Sequence, residues 1–181
     1  MDAASGKTPN RFGSNAVVTL AAILVSVCAL AVSVYQAKIM RETQRASVWP
    51  FVEVLPSNTQ NGGWLGITNK GVGPAIIQTV YLEVDGQPFR RWQTLFDALA
   101  PEDSINFTWS SVTGRVLAPN EEVRAIQLNP SDARRVAQII GQMSFEICYC
   151  SVYDECWQTN LNRKTLPVDA CVVNSDRRFS Q

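Results

Sequence analysis

The chain has 181 residues, in which 16 lysines and arginines balance 16 aspartates and glutamates, and it contains no histidine. The missing imidazole excludes Ser-His-Asp and Cys-His catalysis, histidine-ligated metals and a histidine pH switch. Neutrality argues against a nucleic-acid partner, and 46% hydrophobic residues with nine prolines and ten glycines belong to a globular chain.

Charge is split along the chain. Residues 1–45 carry five basic and two acidic side chains, a balance of +3, whereas residues 46–181 carry eleven and fourteen, a balance of −3. A polar tail over 1–14 precedes an apolar segment over 15–36, whose centre, Ala16 to Tyr35, is twenty residues without a charge. As a helix those twenty residues span roughly 30 Å, the thickness of a hydrocarbon core. Thr19, Ser26 and Ser33 can return their hydroxyls to the helix backbone. A cleaved signal peptide is the rival reading, with Lys7 and Arg11 as its basic region and Ala29-Leu30-Ala31 as a small-residue triplet. That triplet lies inside the apolar run, and Tyr35-Gln36-Ala37 puts a bulky residue where a small one is needed. The run is therefore read as a retained anchor in the lipid bilayer.

Ala22, Ser26, Ala29 and Ser33 line one helix face with small side chains, the arrangement that lets two membrane helices approach and form a homodimer. Cys28 lies off that stripe and reads as an apolar filler. Residues 37–47 contain good helix formers, with Lys38 and Glu42 at i,i+4, and are expected to form a helical stalk that ends at Trp49-Pro50.

Residues 48–172 form the soluble domain. Short β-rich runs are expected at Val48–Val54, Trp64–Thr68, Ala75–Val84, Ile105–Trp109, Val123–Leu128, Phe145–Val152 and Leu166–Val172. The loop SNTQNGG separates the first two, and Asp85-Gly86 closes the third with a strong turn dipeptide. Helices are expected at Arg90–Leu99 and at Ser131–Ile140, with Ser131 as the N-cap of the second. Strands without βαβ alternation predict a mainly β fold, an immunoglobulin-like antiparallel sandwich with one or two short helices. The polar residues 173–181 read as a flexible tail.

Asn69-Lys70-Gly71-Val72-Gly73-Pro74-Ala75 resembles a phosphate loop only superficially. Pro74 deletes a backbone donor and a β-rich run follows, so the motif reads as a turn in which glycine supplies positive φ. Cys148, Cys150, Cys156 and Cys171 are the most informative cluster. Cys148 and Cys150, two apart on a strand, point to one face, and Cys150 and Cys156 flank a hairpin-sized connection. Four cysteines allow two disulfides in three connectivities, and reduced structural thiols or a thiol-based redox or metal site stay open beside them. Zinc is disfavoured, because C-x-C-x5-C lacks a C-x2-C knuckle, and Cu(I) finds no methionine nearby in sequence. Asp154-Glu155, Arg134-Arg135 and Arg177-Arg178 read as solvated pairs, and Trp49, Trp64, Trp92, Trp109 and Trp157 as core fillers. No catalytic, metal or cofactor-binding residue is assigned.

Four segments together carry a resemblance: Val48-Trp49-Pro50-Phe51 after an anchor, LGITNKGVGPA from Leu65 to Ala75, the turn Ala118-Pro119-Asn120-Glu121, and CYCSVYDECW from Cys148 to Trp157. They resemble a group of bacterial single-pass membrane proteins of uncharacterised activity with a small β-sandwich domain. The resemblance implies an inner-membrane location and brings no active-site residue. The expected role is a membrane-tethered, non-catalytic interaction or assembly module with an unidentified protein partner and no cofactor. The alternative is a thiol-based redox or metal-handling protein using Cys148, Cys150 and Cys156. Basic residues on the two sides of the apolar run are nearly equal in number and do not orient it. The cysteines place the domain in the periplasm, with the cytoplasm as the alternative.

Overall fold

The apolar run belongs to one long helix, α1 (Arg11–Ser47). The structure, a computed structural model, describes residues 11–101, 104–140, 142–162 and 164–180. The chain divides into two compact units, Met1–Gln44 and Arg45–Gln181. The helical stretch Asn15–Ser47, which begins in the first unit and ends in the second, is long and apolar enough to cross a membrane, a property a signal sequence shares, and none of its most apolar window is buried. Thr19, Ser26 and Ser33 donate their hydroxyls to the carbonyls of Asn15, Ala22 and Ala29, so the helix satisfies its own polar side chains. Helical structure runs without a break to Ser47, as the stalk requires. Of the expected polar tail, Arg11–Ser14 are helical and residues 1–10 lie outside the described residues.

The second unit holds two antiparallel sheets. The first has the order β1-β2-β7-β5, built from β1 (Val52–Thr59), β2 (Gly62–Asn69), β5 (Phe107–Trp109) and β7 (Glu122–Leu128). The second has the order β10-β9-β8-β3-β4, with β6 also on β3. Its members are β3 (Ala75–Val84), β4 (Gln87–Phe89), β6 (Val116–Leu117), β8 (Met143–Cys150), β9 (Cys156–Asn160) and β10 (Leu166–Val168). Alternation decides the layers. Val52, Val54, Leu65 and Ile67 of the first sheet and Val80, Leu82, Ile147 and Tyr149 of the second are at most 1% exposed and share one core. The fold is thus a mainly β sandwich.

Several boundaries differ from the sequence reading. The expected SNTQNGG loop is mostly strand, because β1 and β2 continue to the pair Thr59–Gly62 and leave a two-residue turn. β4, β6 and β9 were not expected. Asp85 and Gly86 (φ 51° and 75°) do make the β3–β4 hairpin turn. Helix α2 (Trp92–Leu99) buries Trp92, Leu95 and Phe96, spaced i, i+3, i+4. Helix α3 (Pro130–Ile140) is capped by Asn129, whose Oδ1 accepts from the Asp132 amide at 2.9 Å; Ser131 is not the cap but donates to the same oxygen.

Candidate functional site

The cysteines sit on β8 and β9, where register determines what they meet. Cys150 pairs with Cys156 across the β8–β9 hairpin, and the two are disulfide-bonded with Cα atoms 4.0 Å apart. Cys148 bonds Cys171, 23 residues on, with Cα atoms 5.7 Å apart. Phe145, Ile147 and Tyr149 point into the core, so Cys148 and Cys150 share the outer face of the second sheet. That shared face is as expected, and the bonding selects one of the three connectivities. Neither bond joins the two sheets, unlike the inter-sheet disulfide of antibody domains.

The two disulfides touch. The Sγ atoms of Cys150 and Cys171 lie 3.7 Å apart, and those of Cys150, Cys156 and Cys171 all fall within 4.8 Å of one another. Cys148, Cys150 and Cys156 are buried, while Cys171 is half-buried. Directly across from Cys148, on β3, stands Thr79, which is 0% exposed. Its hydroxyl has no hydrogen-bond partner. A buried unmatched hydroxyl costs free energy, and functional groups are a common reason for keeping one.

What buries this face is the segment that follows β10. It crosses from the β10 edge over β8 to the far edge of β3. The Tyr81 hydroxyl donates to the Val172 carbonyl at 2.8 Å and accepts from the Asn174 amide at 2.9 Å. Arg177 pairs with Glu83 and lies over the Tyr81 ring, and the carboxylate pushes its guanidinium pKa further up. Arg178 bridges Tyr81, and the Phe179 amide donates to the Val80 carbonyl, filling the stretch of β3 edge between β6 and β4. Phe179 itself is 1% exposed, with its ring 5.0 Å from that of Trp92. The expectation of a flexible tail over 173–181 is therefore corrected: an apolar anchor near its end and the Cys171 bond hold it as a strap. Arg177 and Arg178 are nevertheless exposed, as read, with Arg177 paired to Glu83 at the surface.

A second concentration of polar contacts lies where the chain enters the domain. Asn69, 0% exposed, uses its whole carboxamide: Oδ1 accepts from the amides of Phe51 and Gly71, and Nδ2 donates to the carbonyls of Gly73 and Leu117. The Asn69–Ala75 motif is a turn, as expected. Its glycines are needed for another reason than positive φ, however. A Cβ on Gly73 would lie 1.8 Å from the Val48 carbonyl oxygen, and one on Gly71 would lie 2.4 Å from that of Trp49. The loop closes on residues 48–51, and the amides of Val72 and Gly73 donate to the Trp49 carbonyl.

At this end Trp49, Val72, Val152 and Tyr153 are exposed, and Arg45 pairs with Glu155 at 3.3 Å. The tryptophans are not core fillers as a set: Trp92 is buried, whereas Trp49 and Trp109 are 44% and 47% exposed. A surface depression by Asn106, Gln127 and Asn129 is lined with amides, hydroxyls and apolar groups and carries no ionisable group. Ala22, Ser26, Ala29 and Ser33 lie exposed on α1, with both serine hydroxyls turned back to the stripe's own alanine carbonyls. No protein-family model, no curated protein and no solved structure matches this chain.

Proposed function

We propose that the chain is a single-pass protein of the bacterial inner membrane, in which α1 anchors a periplasmic sandwich that serves as an interaction module. The observation that carries this reading is the pair of disulfides, Cys148–Cys171 and Cys150–Cys156. Bonds of this kind form and persist in oxidising compartments, and a domain attached to an apolar helix reaches one by crossing the membrane. The interaction role is supported by how the polar groups are used. The buried carboxamide of Asn69 is spent on the loop at the domain entrance, and the same end exposes two aromatic and two aliphatic side chains. Aromatic side chains are enriched in protein contact surfaces.

Fusions test the sidedness. Alkaline phosphatase joined after residue 181 is expected to be active, and a fluorescent protein at the same point dark, with the protein retained in the membrane after carbonate washing. A fluorescent fusion with an inactive phosphatase would put the domain in the cytoplasm and end the periplasmic reading. A mature N-terminus at Val32 or Lys38 would replace the anchor with a cleaved signal peptide.

A further inference from the structure

We propose that the two disulfides form an exchange site that takes electrons from a dithiol and passes the opened bond from one cysteine pair to the other. Three independent observations converge on it. Of the four sulfurs, only that of Cys171 belongs to a residue that is not buried, which makes it the point of attack from solvent. Its partner Cys148 stands in register opposite Thr79, whose buried hydroxyl has no acceptor. A thiolate released at Cys148 supplies that acceptor, and a hydrogen bond to an ionised group is among the stronger ones. Finally, the sulfur left on Cys171 lies 3.7 Å from that of Cys150, at van der Waals contact.

The steps balance without further reagents. A thiolate of the external dithiol attacks Cys171 Sγ; a mixed disulfide forms, the Cys148–Cys171 bond breaks, and the electron pair leaves on Cys148. The second thiol of the dithiol, as its thiolate, attacks its own mixed-disulfide sulfur, closes the dithiol to a cyclic disulfide and frees Cys171 as a thiolate. The external dithiol has been oxidised by two electrons and the Cys148–Cys171 pair reduced by two. Cys171 then attacks Cys150 Sγ. The Cys150–Cys171 bond forms, the Cys150–Cys156 bond breaks, and Cys156 leaves as a thiolate that takes a proton from water. This last step involves no net oxidation. Because all three sulfurs fall within 4.8 Å of one another, Cys171 lies off the Cys150–Cys156 axis and swings into line once it is freed. The step is intramolecular, which favours it over attack by a second dithiol molecule. The product carries a Cys150–Cys171 disulfide and free thiols at Cys148 and Cys156.

The site belongs to the purified chain, so its test is independent of which side of the membrane the domain occupies. Full-length protein in detergent, with the free Cys28 blocked beforehand by maleimide, is treated with one equivalent of dithiothreitol and alkylated. Fragmentation mass spectrometry then maps the label and the remaining bond. The expected product is label on Cys148 and Cys156 with a Cys150–Cys171 linkage. Label on Cys148 and Cys171 with Cys150–Cys156 intact overturns the transfer. So do label on Cys150 and Cys156 with Cys148–Cys171 intact, label on all four together, or no label under native conditions. Thr79→Val, which removes a hydroxyl with no partner in the oxidised protein, is expected to slow opening about tenfold. An unchanged rate overturns the role given to that hydroxyl.

Discussion

The phenol of Tyr149, on β8, accepts a hydrogen bond at 3.2 Å from the backbone amide of Val52, the first residue of β1. One side chain thus ties the second sheet to the first at the point where the entering chain becomes strand. Burial pushes the Tyr149 phenol above its ordinary value, and the bond from Val52 partly opposes that rise. Tyr149→Phe leaves the buried amide of Val52 without an acceptor and is expected to cost about 1–2 kcal/mol in urea unfolding. The wild type should also lose stability as pH climbs above 10.0, the ordinary value for the phenol. Above that point the unfolded chain releases this proton while the folded domain holds it, so unfolding is favoured; below it the contribution is complete. If the urea midpoint of the Tyr149→Phe protein falls as steeply across the same alkaline range, Tyr149 is not the source.

The loop at the domain entrance offers a comparison of two glycines. Gly73→Ala forces a Cβ into the Val48 carbonyl, whereas Gly86 (φ 75°) has open space around it and only the strain of a left-handed conformation. The Gly86→Ala change is expected to cost about 1 kcal/mol, and Gly73→Ala to lower the melting temperature markedly more. Asn69→Ala strands two amides and two carbonyls in the interior, for a loss of roughly 4 kcal/mol. Thermal melts of the three variants give the order directly; equal shifts for the two glycines would contradict the close-approach account.

The strap predicts a steep contrast between neighbours. Phe179→Ala empties a place beside Trp92 and Phe145 and should cost about 3–4 kcal/mol. Val173→Ala, at a position 55% exposed, should stay within about 0.5 kcal/mol of wild type. Limited proteolysis offers a second readout, with residues 173–180 resistant in wild type and cut early in the Phe179→Ala protein.

The two disulfides close loops of different length, with separations of 6 and 23 residues. On chain-entropy grounds, removing Cys150–Cys156 by double alanine substitution should cost about 2 kcal/mol and removing Cys148–Cys171 about 3 kcal/mol. Chemical denaturation of the two variants measures the difference, and a larger loss from the short loop would point to packing rather than chain entropy.

Where local pattern and tertiary structure agree, the residues alone were enough. Ala75–Val84 is a strand with the expected limits because its apolar run is long and Asp85-Gly86 closes it. Helix α2 ends at Leu99, ahead of Pro101, as expected, whereas the hairpin-sized spacing of Cys150 and Cys156 left three connectivities open until the β8–β9 register selected one. β4 and β6 are three and two residues long, too short for any periodicity to show. The strap was invisible for a different reason: a lone Phe179 among polar residues has no local signal, and its burial depends on Trp92 and Phe145, which are far away in the chain. The glycines of the entrance loop were found, but their cause was not, since close approach to residues 48–51 is a contact and not a conformation. The disulfide site was half legible. The four cysteines stood out, whereas Thr79 became visible only through its register opposite Cys148.

The loop closed by Gly71 and Gly73 also decides how the domain carries mechanical load. Tension drawn through α1 arrives at Trp49 and Phe51, whose carbonyls are held by the amides of Val72, Gly73 and Lys70, before it reaches the first ladder bond of β1. Asn69 fastens that loop to the Leu117 carbonyl beside β3, so a pull is shared with the second sheet. The attachment is a clasp: a pull on the tether loads the bonds at residues 48–51 before it loads the ladder of either sheet.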